Sequence, residues 1–170
     1  MMTAKITRRT LVGSAAALVP GVAAARYVSA QDGFGYEVTR SAEEWRAMLG
    51  EHAYAILSDG RTEEPKSHPL WDSTAAGTYA CRGCALPVYD ARWKVVLDRG
   101  WMFFRNGEPN ALLMGIDWPD GSDMSEDFES LAAIEVHCRR CGGHMGHIFY
   151  VENQLLHSIN GASMDFTAAA

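Results

Sequence analysis

At 170 residues the chain is long enough for one domain with a real hydrophobic core and too short for two comfortable ones. Hydrophobic residues make up 48% and charged residues 21%, which excludes a disordered polypeptide. The formal net charge is −6; residues 1–30 hold four basic residues (Lys5, Arg8, Arg9, Arg26) and no acidic ones, so residues 31–170 carry 11 basic against 21 acidic, a balance of −10 that argues against a nucleic-acid partner.

The first thirty residues read as an address. Thr7-Arg8-Arg9-Thr10-Leu11-Val12 leads into an apolar run from Leu11 to Ala25, and small residues close it at Val28-Ser29-Ala30. A basic start, a short apolar middle and a small-x-small exit are the parts of an export signal. The run is too short and too rich in Ala and Gly for a good membrane span, so no stable span is expected once the signal is removed. The paired arginines resemble a twin-arginine signal, which carries folded proteins out of the cytoplasm, so a periplasmic location is expected. An uncleaved amphipathic anchor is the alternative.

Residues 31–40 read as a linker, with Gly33 and Gly35 and little apolar content. Ser41-Ala42-Glu43-Glu44 is a capping-box pattern with Ser41 as N-cap. Trp45, Met48 and Leu49 then share one helical face, and Gly50 is a plausible stop. A second short helix is expected from His52 to Leu57, ending near Gly60. Residues 61–69 hold two prolines and form a loop.

From Gly77 onward the pattern changes to short apolar runs bounded by Gly, Pro, Asn and Asp. Strands are expected at 78–81, 95–97, 101–104, 111–116, 133–137, 146–151, 155–159 and 163–166. Short strands with turn signals between them predict antiparallel sheets rather than βαβ units. The insert 117–129 (Asp117, Asp120, Asp123, Glu126, Asp127, Glu129) is acidic and reads as a solvated loop. As a calcium loop it has its glycine and closing glutamate out of place.

All four cysteines fall in two knuckles, Cys81-Arg82-Gly83-Cys84 and Cys138-Arg139-Arg140-Cys141. Two residues between thiols let both sulfurs of a tight turn reach one ion, and four thiolates close a tetrahedron around Zn2+ with no position left for water. Such a metal is structural, and it would pin segments more than fifty residues apart. Two small disulfides, or one redox-active CxxC, are the alternatives. Folded export fits the metal reading, because metal loaded in a reducing compartment protects the thiolates from later pairing.

Around the knuckles the chain resembles the methionine sulfoxide reductase B family. Gly77-Thr78-Tyr79-Ala80-Cys81-Arg82-Gly83-Cys84-Ala85-Leu86-Pro87-Val88-Tyr89-Asp90 is similar to its first zinc knuckle, and the run from Glu135 through Cys138, Cys141, His144 and His147 to Phe149 is similar to its second. Residues 45–65 are similar to its helical entry and Gly-Thr-Glu-x-Pro turn, with Arg61 where the glycine would stand. The resemblance covers residues 41–166 and leaves 167–170 as a tail. It implies a mainly β fold of two antiparallel sheets in a tent-like arrangement, with short N-terminal helices and a structural zinc clip. The family reduces methionine-(R)-sulfoxide in oxidised proteins with a cysteine thiolate that ends as a sulfenic acid, and a second thiol or a thioredoxin-like donor restores it.

Carried over residue by residue, the resemblance makes Trp101 the substrate-binding tryptophan, His144 and His147 the site histidines and Asn160 the site asparagine. The nucleophile's position holds Ser158, in Leu156-His157-Ser158-Ile159-Asn160, and Leu156 stands at the arginine's position. Met102-Phe103 replaces Pro-Ser, and Arg99 occupies the place that sometimes supplies a resolving cysteine. A serine hydroxyl is a far weaker acid than a thiol and has no comparable oxygen-accepting step. A histidine beside it makes an acyl-transfer nucleophile at most, and no Gly-x-Ser-x-Gly elbow supports that use. Ser158 as a neutral filler, Trp101 as plain core and the histidines as solvated or core-bonded groups are the bland alternatives. The reading is therefore a family member impaired in catalysis that binds methionine sulfoxide or an oxidised protein segment. A working reductase with another nucleophile, which could only be a zinc thiolate, and a purely structural zinc module are the rivals.

Overall fold

The computed structural model describes residues 34–117 and 133–170. The export signal expected at residues 1–30 and the acidic insert beyond Asp117 lie outside the described residues. Within them the protein is mainly β, with one helix and two antiparallel sheets.

Helix α1, Ala42–Leu57, starts on the capping box. The Ser41 hydroxyl accepts the Glu44 amide at 3.2 Å, and the Glu44 carboxylate accepts the Ser41 amide at 2.8 Å. The Ser41 amide and the Ser41 hydroxyl both donate to the exposed Glu44 carboxylate and hold its carboxyl below the ordinary range. At Gly50 (φ 72°, ψ 164°) the backbone leaves the helical region, so Ala42–Leu57 is two helical segments meeting at a kink, as the expected stop at Gly50 and second helix to Leu57 require. The second half buries Ala53, Tyr54, Ile56 and Leu57. Of the face expected in the first half, Trp45 and Leu49 are half-buried, but Met48 is 46% exposed. The first turns meet the body of the protein along a narrower stripe than the full apolar face.

Nine strands follow: β1 Gly77–Cys81, β2 Pro87–Asp90, β3 Lys94–Val95, β4 Met102–Phe104, β5 Leu112–Asp117, β6 Ala133–Cys138, β7 His144–Val151, β8 Gln154–Ile159 and β9 Met164–Ala168. They make a three-stranded sheet, β2-β1-β9, and a six-stranded sheet, β3-β4-β8-β7-β6-β5. Tyr89 of β2 stacks on Phe104 of β4 (centroids 4.3 Å apart), and Tyr79 of β1 meets the same ring edge-on at 5.1 Å. The three rings are essentially inaccessible and join the two sheets into one core.

Strand β2 is absent from the sequence expectation because it opens on Pro87. A proline is tolerated at the first residue of an edge strand, and β2 is an edge. Strand β9 runs to Ala168, pairing it with Gly77, so two residues of the expected tail belong to the sheet. At the other end Val38 N–H donates to the Arg140 carbonyl (3.1 Å) and Glu37 accepts from the Arg139 guanidinium (2.8 Å), which ties this part of residues 31–40 to the second knuckle.

The two knuckles share one backbone solution. Ala85 N–H closes onto the Cys81 carbonyl at 2.7 Å, and Gly142 N–H closes onto the Cys138 carbonyl at 2.8 Å. Both closing residues are left-handed, Ala85 at φ 59° and Gly142 at φ 75°. Glycine enters that region freely, whereas a Cβ there costs about 1–2 kcal/mol. Ala85→Gly is therefore expected to raise the unfolding free energy by about 1 kcal/mol. Denaturant titration at constant metal checks this, and an unchanged or lower midpoint would show that the first turn carries no such strain.

Candidate functional site

Two separate groupings of chemistry-bearing side chains stand out. In the first, the knuckles bring Cys81, Cys84, Cys138 and Cys141 together with all four sulfurs within 4.8 Å of one another. Cys81 Sγ lies 3.6 Å from Cys141 Sγ, and Cys84 Sγ lies 3.5 Å from Cys138 Sγ. A disulfide holds its sulfurs at about 2.0 Å, so none of the thiols is paired. Four sulfurs at about 2.3 Å from one zinc ion stand about 3.8 Å apart, close to what is seen. Donor type, number and spacing all fit a closed thiolate site.

The second grouping is a cavity of about 540 Å3 on the six-stranded sheet. Trp101, Phe103, His147, Ser158 and Asn160 line it, with Thr62 and Arg99 on the loops and Phe149 to Glu152 on the β7–β8 hairpin. That hairpin turns on Glu152 (φ 49°) and Asn153 (φ 62°), the two-residue turn whose twist suits paired strands. Strand register sets the floor. Phe103 of β4 is opposite Ser158 of β8, Ser158 is opposite His147 of β7, and His147 is opposite Glu135 of β6. Directly opposed residues share a face, so these four form one row across four strands. Gly146 (φ 154°) lets β7 come this close, because a Cβ there would run into the Ser158 carbonyl.

Hydrogen bonds hold several of these side chains and their neighbours in place. His147 Nε2 lies 2.9 Å from Asp117 Oδ2 at the end of β5. His144 is 4% exposed, with Nδ1 2.6 Å from Glu135 Oε1 and its ring centred 5.1 Å from that of His147. Burial lowers the pKa of His144, and the Glu135 carboxylate opposes that shift. A neutral ring donating from Nδ1 leaves Nε2 as a bare acceptor, and Nε2 is buried with no partner among the described residues. His157 points to the other side of β8, where its Nδ1 meets Tyr89 Oη at 3.0 Å and burial lowers its pKa. The Asn160 side chain donates to the Met145 carbonyl (3.1 Å) and accepts the Glu63 amide (3.0 Å). Trp101 Nε1 donates to the Glu63 carbonyl at 3.1 Å.

Of the residues singled out from sequence, Trp101, His147, Ser158 and Asn160 come together around the cavity. His144 does not line it and sits buried beside His147. Cys81, Cys84, Cys138 and Cys141 form their own cluster, and none of them lines the cavity. Leu156 is wholly buried. The structure adds Glu135, nine residues from the His144 it holds, and Asp117 and Glu63, which hold site residues from distant parts of the chain. Asp117 reads in sequence as one more acid of a loop, and only strand pairing brings it to His147.

Two antiparallel sheets with a four-thiol cluster and, apart from it, a cavity lined by tryptophan, histidine and asparagine define a mainly β domain with a candidate ligand-binding site. The comparisons give the family. Residues 49–168 match the SelR domain. The chain is 35% identical over 138 residues to peptide methionine sulfoxide reductase B3 of Arabidopsis thaliana, covering 78% of this chain and 72% of that protein. It is 35% identical over 136 residues to peptide methionine sulfoxide reductase B5 of Oryza sativa subsp. japonica (77% and 92% covered). With peptide methionine sulfoxide reductase MsrB of Agrobacterium fabrum (strain C58 / ATCC 33970) the figures are 31% over 134 residues, with 76% and 93% covered. The chain belongs to the methionine sulfoxide reductase B family, whose reaction is the reduction of methionine-(R)-sulfoxide.

Proposed function

We propose that this domain binds methionine-(R)-sulfoxide in oxidised proteins and does not reduce it. One observation carries the reading: the cavity has Ser158 on its floor, while all four thiols are gathered in a cluster that takes no part in lining it. The indole of Trp101 offers a flat apolar face to the substrate's methyl group, and His147 and Asn160 offer polar edges to the sulfoxide oxygen. Phe103, Phe149 and Tyr150 add apolar wall for the thioether chain. Reduction needs an atom that accepts oxygen from sulfur, which a thiolate does and an alcohol does not. A thioredoxin-like donor therefore has no sulfenic acid here to act upon, and it becomes a partner only if the domain is active.

The cluster is read as a structural zinc site held by Cys81, Cys84, Cys138 and Cys141. Bound there, the ion joins the end of β1 to the end of β6 and supplies folding energy rather than catalysis. The twin-arginine-type start supports export of the folded, metal-loaded domain to the periplasm. The test is paired. Purified domain should bind a peptide containing methionine-(R)-sulfoxide and, with dithiothreitol present, yield no methionine above a buffer control. Turnover that survives Ser158→Ala would place the chemistry on another nucleophile and reject the reading.

A further inference from the structure

Nothing in the family pattern of knuckles, histidines and tryptophan assigns a task to Glu63, which is 4% exposed. Its three hydrogen-bonding parts each reach a different piece of the site. The carboxylate accepts the Gly161 amide at 2.6 Å through Oε1 and the Ala162 amide at 2.9 Å through Oε2. Its own amide donates to Asn160 Oδ1 at 3.0 Å. Its carbonyl accepts the Trp101 indole N–H at 3.1 Å.

The residues on either side tighten the same grip. Thr62 lines the cavity, Lys66 N–H donates to the Gly100 carbonyl at 2.8 Å, and the His68 ring fills the space where Gly161 lacks a Cβ. Residues 62–68 thus form a strap that holds Gly100-Trp101 and Asn160-Gly161-Ala162 from one side. Trp101 precedes β4 and Asn160 follows β8, and β4 and β8 pair through only three residues each. The β4–β8 pairing stops short of both residues, while the Asn160 backbone amide still donates to the Met145 carbonyl at 2.9 Å.

We infer that Glu63 is the positioning residue of this pocket: it fixes the Trp101 indole and the Asn160 amide relative to each other, and so sets the distance between the apolar and polar contacts of the ligand. The inference rests on the reading of the cavity as a sulfoxide-binding site. The carboxylate suits the task, because its two oxygens accept two backbone N–H groups at once and charge-assisted bonds are short and strong. The Asn160 side-chain amide oxygen accepts from Glu63, and one of its two N–H groups donates to Met145, which leaves the other N–H for a ligand. The orientation of that amide is therefore not free to adapt, and a ligand meets a preset edge.

Glu63→Gln keeps the shape but turns an NH2 group toward one of the two N–H donors, and Glu63→Ala removes both acceptors. Both are tested at a temperature where zinc content and cooperative unfolding show them folded. Affinity for the methionine-(R)-sulfoxide peptide should fall by about tenfold or more, as expected when binding groups lose their mutual geometry. The indole N–H resonance of Trp101 (assigned with Trp101→Phe) and the side-chain amide resonances of Asn160 should shift in the ligand-free variants. A residue that merely caps the Gly161 turn would lower the melting temperature and leave resonances and affinity as they were, and that result overturns the inference. If the wild type binds no sulfoxide, the function proposed above fails, while the resonances still decide the role of Glu63. If neither variant folds, deuterium exchange in the wild type decides: slow exchange at the Trp101 indole N–H and the Glu63 amide is expected, and fast exchange at either overturns it.

Discussion

Cys138→Ser is expected to leave the domain without a cooperative thermal transition. Cys138 is fully buried at the end of β6, opposite Leu112, and its sulfur is 3.5 Å from that of Cys84. Structural zinc in thiolate sites is worth about 10–16 kcal/mol, while a whole domain is stable by only about 5–15 kcal/mol. Losing the ion therefore removes as much free energy as the fold has in reserve. The geometry says where the damage falls. β1 ends at Cys81 and pairs with β9, and β6 ends at Cys138 in the other sheet, so the cluster is the tie between sheets at that end. A strong chelator should have the same effect on the wild type, and metal analysis should find about one zinc per chain. Circular dichroism melts follow both. A variant that keeps the wild-type midpoint, or a purified chain with two disulfides and no metal, would remove the clip from the account.

Ser158→Cys is expected to turn a silent pocket into one that releases one methionine per chain and then stops. The thiolate attacks the sulfoxide sulfur, the oxygen ends on residue 158 as a sulfenic acid, and the thioether leaves reduced. His147, opposite residue 158 and held by Asp117, is placed to favour the charged thiol or to pass a proton to the departing oxygen. The reaction should stall because no second thiol lines the cavity; Arg99 stands on the rim, 4.0 Å from Glu152. An arginine restored at position 156 is not expected to help. Leu156 is wholly buried, and a guanidinium there would have to be desolvated or would displace its neighbours. Mass spectrometry with a sulfenic-acid trap reads the product at residue 158. A reactive, folded Ser158→Cys chain that releases no methionine would mean the cavity no longer holds the substrate, and the purely structural reading would replace the binding one.

Much of this was legible in the chain because its signals are local. Cysteine spacing announces the knuckles, and the capping box announces α1. Short apolar runs within 133–137 and 146–151 announce strands whose pairing then follows from a short turn. β2 was not legible, because Pro87 reads as a stop until its place at a sheet edge is known. Within the site, Trp101, His147, Ser158 and Asn160 were found through resemblance, and the structure brings them to one cavity. The supports were not. Glu63 bonds to residues 97–99 positions away, and Asp117 meets a histidine 30 positions on. No spacing rule reaches that far, because tertiary packing sets those contacts, through a loop strap for Glu63 and strand pairing for Asp117.

The most direct measurement of the central claim is calorimetric titration of the zinc-loaded wild-type domain with one peptide in three states: methionine-(R)-sulfoxide, methionine-(S)-sulfoxide and methionine. The account predicts saturable binding of the R epimer, much weaker binding of the other two, and recovery of the R epimer unchanged after incubation with dithiothreitol. Equal heats for all three peptides, or loss of the R epimer to methionine, would contradict it.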